Sequence, residues 1–135
     1  MGYQINFADA KGDAVVISVD KNGELAFTRK KKTDKYFVST NFNKENPENA
    51  FDYPCRRYNI ATTMLERLNK ENDLSVDYFK SILDSTHVEG SFNNTLYSNI
   101  FDLSNGVIYL YHWHQFNEIV VLKVNEELAK GKIIC

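Results

Sequence analysis

The side chains able to do chemistry fall in a few short runs. One is the polar cluster Ser39-Thr40-Asn41-Phe42-Asn43, which follows Tyr36-Phe37-Val38 in the run KYFVSTNFN. An Asn at a strand end can hold out its NH2 group as a donor to a developing oxyanion. Asn and Ser also favour turns, so local pattern alone makes Asn41 the start of a loop. A second run is Arg56-Arg57-Tyr58. A guanidinium there matches a carboxylate with its planar fork; solvent exposure, or a salt bridge to Asp52 or Glu45, is the plainer reading. A third is His112-Trp113-His114. Two histidines on one face of a strand can ligate a metal, but no third ligand suggests itself, and strand histidines packed with Tyr and Trp fit better. His87 falls near a helix end and suits that helix's C-terminal dipole. No metal or cofactor is expected.

The elements that must position these residues follow from periodicity. Tyr3 to Ala8 alternates as a strand with one wet face. Asp9 to Gly12 turns it, and Ala14 to Val19, apolar on both faces, reads as a buried central strand. Asp20-Lys21-Asn22-Gly23 is a second hairpin turn, followed by strands at Glu24 to Arg29 and Lys35 to Ser39. Asn43 to Tyr53 is polar, contains Pro47 and reads as a loop. From Cys55 the pattern is helical, with Tyr58, Ala61, Leu65 and Leu68 on one stripe and Met64 beside it. Ser75 is the expected N-cap of a second helix that buries Val76, Phe79, Ile82 and Leu83, with Gly90 as its stop. Strands are expected again at Thr95 to Leu103, Val107 to Phe116 and Ile119 to Val124, then a short helix over Asn125 to Lys130. The expectation is one α+β domain, ββββ-αα-βββ, with antiparallel sheet and a helical hairpin packed on it.

Composition narrows the function classes. The 135 residues are 43% hydrophobic and 25% charged, as in ordinary globular domains. A net charge of −2 gives no electrostatic case for nucleic acid. The basic run Arg29-Lys30-Lys31-Lys32 sits beside a turn and reads as a solvated tip. Cys55 and Cys135 form no CxxC, so neither a zinc site nor a disulfide framework is expected, and free thiols suit the cytoplasm. No signal peptide, myristoylation motif or bilayer-spanning run is read, and no membrane partner is expected.

Taken together, the runs ADAKGDAVVISVDKNGEL, VSTNFN, PCRRYNIATTML, LSVDYFKSILDSTHVEG and TLYSNIFDLSNGVIYLYHWHQFNEIVVL occur in an order that resembles the linear amide C–N hydrolases. These include choloylglycine hydrolase and penicillin acyltransferase-like proteins, of the N-terminal nucleophile class. The resemblance covers nearly the whole chain, but matches the C-terminal part of that family. It implies part of a four-layer αββα sandwich. It implies Asn41 as an oxyanion-hole donor and Arg57, of Arg57-Tyr58, as the active-site Arg; Arg56 has no such match. The implied substrate is an acyl-amide small molecule.

The departure is the nucleophile. In the family an N-terminal Cys attacks the amide carbonyl with its own amine as base, and the corresponding segment lies upstream of the region matched here. Cys55 could serve only if the chain were cut after Pro54, leaving its α-amine as base; Cys135 has no base in evidence. Two outcomes are expected from this. Either the chain is inactive alone and completed by a separate N-terminal half, or it is a non-catalytic binding or assembly module. In the second case an uncovered sheet face or edge would drive self-association to a homo-oligomer.

Overall fold

The computed structural model describes residues 4–40, 42, 55–68 and 74–131. They fall in two compact units, Met1–Leu68 and Asn69–Cys135. Each contains a three-stranded antiparallel sheet, so the molecule is α+β with antiparallel pairing throughout.

In the N-terminal unit, β1 (Ile5–Ala8), β2 (Ala14–Val19) and β3 (Leu25–Arg29) form a meander in the order β1-β2-β3. Both expected hairpin turns are present. At Gly12 and Gly23 φ is +86°, a region that costs an L side chain about 1–2 kcal/mol. Asp9 and Asp20 each accept from backbone N–H groups across their turns. The register pairs Ile5 with Ile17 and Ile17 with Phe27, and Phe7 with Val15. One face therefore carries Ile5, Phe7, Val15, Ile17, Val19, Leu25 and Phe27. The other carries the buried Val16 and Ser18. The apolar face is the open one: Leu25 is 70% exposed and Phe27 55%. Strand β2 is central, as its composition predicts, but it is buried on one side only.

The expected fourth strand, Lys35 to Ser39, is not formed. The carbonyls of Thr40 and Phe42 accept from the side-chain amide of Gln4, at 3.1 and 2.8 Å, and Ser39 Oγ donates to Gln4 Oε1 at 3.3 Å. A side chain thus satisfies backbone groups that a ladder partner would otherwise have to satisfy. The segment runs beside α1 (Arg56–Glu66). Tyr36 donates to Glu66 Oε1 at 3.3 Å near the helix C-terminus, and Phe42 meets Tyr58 edge-on at 5.2 Å near its N-terminus. The expected stripe of α1, Tyr58, Ala61, Met64, Leu65 and Leu68, is half-buried, whereas Asn59, Thr63 and Glu66 are exposed.

In the C-terminal unit, α2 (Val76–Thr86) starts at Ser75, whose hydroxyl accepts from the Tyr78 N–H at 3.1 Å. Ile82 is buried and Val76, Phe79 and Leu83 are half-buried. The helix ends at His87, ahead of the expected stop at Gly90. Strands β4 (Tyr97–Asp102), β5 (Val107–His112) and β6 (Val120–Lys123) follow in the order β4-β5-β6, then α3 (Val124–Ala129). Helix α2 packs on β4, and Tyr111 and Ser98, paired across β5 and β4, are buried. Tyr97, Phe101 and Val120 lie exposed on the opposite face.

Helices α1 and α2 belong to different units, so the expected helical hairpin is not among the packings within either one. Strand β5 stops at His112, short of the expected Phe116, because Trp113 takes φ +54° and turns the chain. Its N–H still reaches the Leu96 carbonyl at 2.7 Å.

Candidate functional site

The N-terminal unit brings the polar end of the 36–42 segment to the start of α1. Asn41 lies outside the described residues, but its neighbours Thr40 and Phe42 do not. Both are held through their carbonyls by Gln4, and Phe42 is packed against Tyr58. Asp52 and Glu45, the alternative partners of Arg57, also lie outside the described residues, as does Cys135.

Cys55 is the N-cap of α1, with extended backbone (φ −65°, ψ 120°), and is 2% exposed. Burial pushes its thiol pKa up. The N–H of Tyr58, the Thr40 hydroxyl, the N–H of Arg57 and the Arg57 charge outweigh that and leave it below its ordinary value. The sulfur makes no capping hydrogen bond of regular geometry, so the effect is the field of the helix start and its cation. Thr40 Oγ1 is likewise buried without a well-formed partner. The result is an electropositive corner made by Thr40, Cys55, Arg57 and the first turn of α1. Such a corner favours negative charge, whether on a thiolate or on an oxyanion.

The C-terminal unit assembles a second group. The turn at Trp113 separates the two histidines expected on one strand face. His112 is exposed, and His114 folds back so that its ring lies 4.7 Å from that of His87. His87 sits at the C-cap of α2, where its Nδ1 meets the Asp84 carbonyl. Its Nε2 is 2.7 Å from Glu89 Oε1, and His114 Nδ1 is 3.3 Å from the same oxygen. Phe116 flanks His87 at 5.6 Å, and Trp113 stacks on His114 at 5.2 Å. Sequence reasoning gave His87 its helix-end position but missed Glu89. The available signal was the spacing His87-Val88-Glu89, just beyond a helix end.

The His87–Glu89 contact sets a pH window for stability. The hydrogen bond to Glu89 raises the His87 pKa; burial opposes it, and the Asp84 carbonyl and the Glu89 and Asp84 charges add to it. The His87 bond lowers the Glu89 pKa, helped by the His114 charge. The His87 contribution is therefore complete below its unfolded pKa of about 6.5 and lost as pH rises through the raised folded value. The Glu89 contribution is present above about 4.3 and lost as pH falls through the lowered one. The thermal stability lost in Glu89→Gln should be largest between these limits and shrink above neutrality. Melting curves of both proteins across pH check this, and a gap that widens above neutrality would contradict it.

Comparison with family profiles, with curated proteins and with solved structures gives no match to this chain.

Proposed function

We propose that the N-terminal unit supplies the oxyanion-donor and arginine side of a site that hydrolyses linear amide C–N bonds. In this reading the attacking thiol is an N-terminal Cys carried by a separate segment. The observation that carries it is the placement of the 36–42 segment along α1. Thr40 and Phe42, on either side of Asn41, meet the helix start that bears Arg57. The ordered resemblance of the sequence motifs requires that juxtaposition of the T-N run with the R-Y helix start. Asn41 donates from its NH2 group to the oxyanion of the tetrahedral intermediate, and Arg57 holds negative charge next to it. Gln4 acts as a positioning residue, because it ties the carbonyls before and after Asn41 to one side chain.

The test is acyl-amide hydrolysis by the chain alone and together with the polypeptide encoded immediately upstream of Met1, begun at a Cys. Activity only in the combination supports the reading. Full activity of the chain alone, abolished by Cys55→Ala, would replace it with an autonomous Cys55 enzyme.

A second reading rests on the open sheet face of the N-terminal unit. Ile5, Phe7, Leu25 and Phe27 are exposed together on one sheet face, the kind of apolar surface that marks an interaction site. As an assembly module without catalysis, the chain would bury this face against a second copy of itself. Light scattering should then give a dimer that Phe27→Lys converts to monomer. A monomer at high concentration removes this reading.

A further inference from the structure

We propose that His87, Glu89 and His114 bind a divalent first-row transition ion, Zn2+ by preference, through two imidazole nitrogens and one carboxylate. This site lies in the C-terminal unit and does not depend on the amide-hydrolase reading.

His87 Nδ1 faces the Asp84 carbonyl, which can only accept, so Nδ1 carries the proton. In the neutral ring the lone pair is then on Nε2, 2.7 Å from a Glu89 oxygen that also only accepts. Two lone pairs at that distance require a positive charge between them, supplied by a second ring proton or by a metal ion. His114 brings a further nitrogen to the same oxygen, Nδ1 at 3.3 Å. Its Nε2 is buried with no hydrogen-bond partner, so Nδ1, which faces Glu89, is the nitrogen placed to take an ion.

The geometry suits an ion. One ligand atom from each of the three residues lies within 4.8 Å of the others. Tetrahedral zinc with bonds of about 2.0–2.1 Å sets its ligand atoms about 3.3 Å apart. The 3.3 Å separation matches that spacing and the 2.7 Å one is shorter, so the Glu89 side chain, 62% exposed, has to move outward to admit the ion. The imidazoles are held more firmly, at 15% and 16% side-chain exposure, between Phe116 and Trp113. The Asp84 carbonyl on His87 Nδ1–H is the outer contact that commonly orients a metal-bound histidine. A donor set of two nitrogens and one oxygen favours zinc and its neighbours over Ca2+ or Mg2+, which prefer oxygen. The exposed side at Glu89 leaves the fourth position to water.

The test is calorimetric titration of the full chain with ZnCl2 near neutral pH, paired with the visible spectrum of the Co2+ form. One Zn2+ per chain is expected. Glu89→Gln and His114→Ala should each weaken binding by at least about tenfold, and His112→Ala should leave it unchanged. Glu89→Gln alters an exposed side chain, so it reads the site even where a histidine variant disturbs the fold. The Co2+ spectrum should lack a thiolate charge-transfer band. Failure to bind at about 100 μM Zn2+, a range that detects affinities near −5 to −6 kcal/mol, would overturn the proposal and leave a proton shared between His87 and Glu89. Binding that survives Glu89→Gln, or a thiolate band, would also overturn it.

Discussion

Replacing Asn41 by Ala is expected to lower kcat for amide hydrolysis by about 10²–10³-fold in the completed enzyme, with KM little changed. The split follows from where the amide acts. Under the proposed function its NH2 group would strengthen its contact as the carbonyl oxygen becomes an oxyanion, so its loss would fall on the transition state. Arg57→Ala should act in the same direction, and Arg57→Lys should recover little, because an ammonium cannot reproduce the planar fork. Arg56→Ala is the internal control: this neighbour is exposed and lies outside the matched pair. Steady-state kinetics on the combined polypeptides measure all of these. Equal losses for Arg56→Ala and Arg57→Ala would mean that only the net positive charge of the helix start matters. Gln4→Ala should also lower kcat, because it releases the Thr40 and Phe42 carbonyls, while Gln4→Glu, which keeps an acceptor for Ser39 but no donor for those carbonyls, should not rescue it.

Tyr111→Ala should cost about 3–5 kcal/mol of stability, as large-to-small changes of buried aromatics do. Tyr111 is 1% exposed, pairs with Ser98 next to the end of the β4-β5 ladder, and has the Phe116 ring 5.6 Å away. Its phenol pKa is raised by burial, with the Lys80 charge opposing and Asp77 adding. The loss is comparable to the whole margin of a small domain, so the C-terminal unit should be partly unfolded at room temperature. Tyr111→Phe keeps the ring and should cost no more than about 1.5 kcal/mol. Urea titration followed by Trp113 fluorescence separates the two, and similar midpoints for both variants would contradict the packing role.

The contrast between those two sites tracks what the sequence could reveal. The hairpins at Gly12 and Gly23, the Ser75 cap and the amphipathic stripe of α1 were all legible, because each rests on local chemistry. Two features were not. The segment 35–39 has strand composition, but its partner is the Gln4 side chain far earlier in the chain, and no local pattern marks that pairing. The run 107–116 also reads as one strand; the positive φ at Trp113 ends it and sends His114 towards His87. Aromatic residues rarely adopt that conformation, so alternation wrongly put His112 and His114 on one face. The helix start at Arg56-Arg57 was legible from the local pattern after Cys55, whereas its approach to Thr40 is long-range and carries no local mark.

The most direct measurement of the central claim is the site of acylation. The chain is combined with the upstream polypeptide begun at Cys, given an acyl amide, quenched within one turnover and read by mass spectrometry of its peptides. The account predicts a single acyl group on the N-terminal Cys of the added polypeptide, with Cys55 unmodified, and loss of that adduct in Asn41→Ala. An acyl group on Cys55, or an adduct that accumulates equally without Asn41, would contradict it.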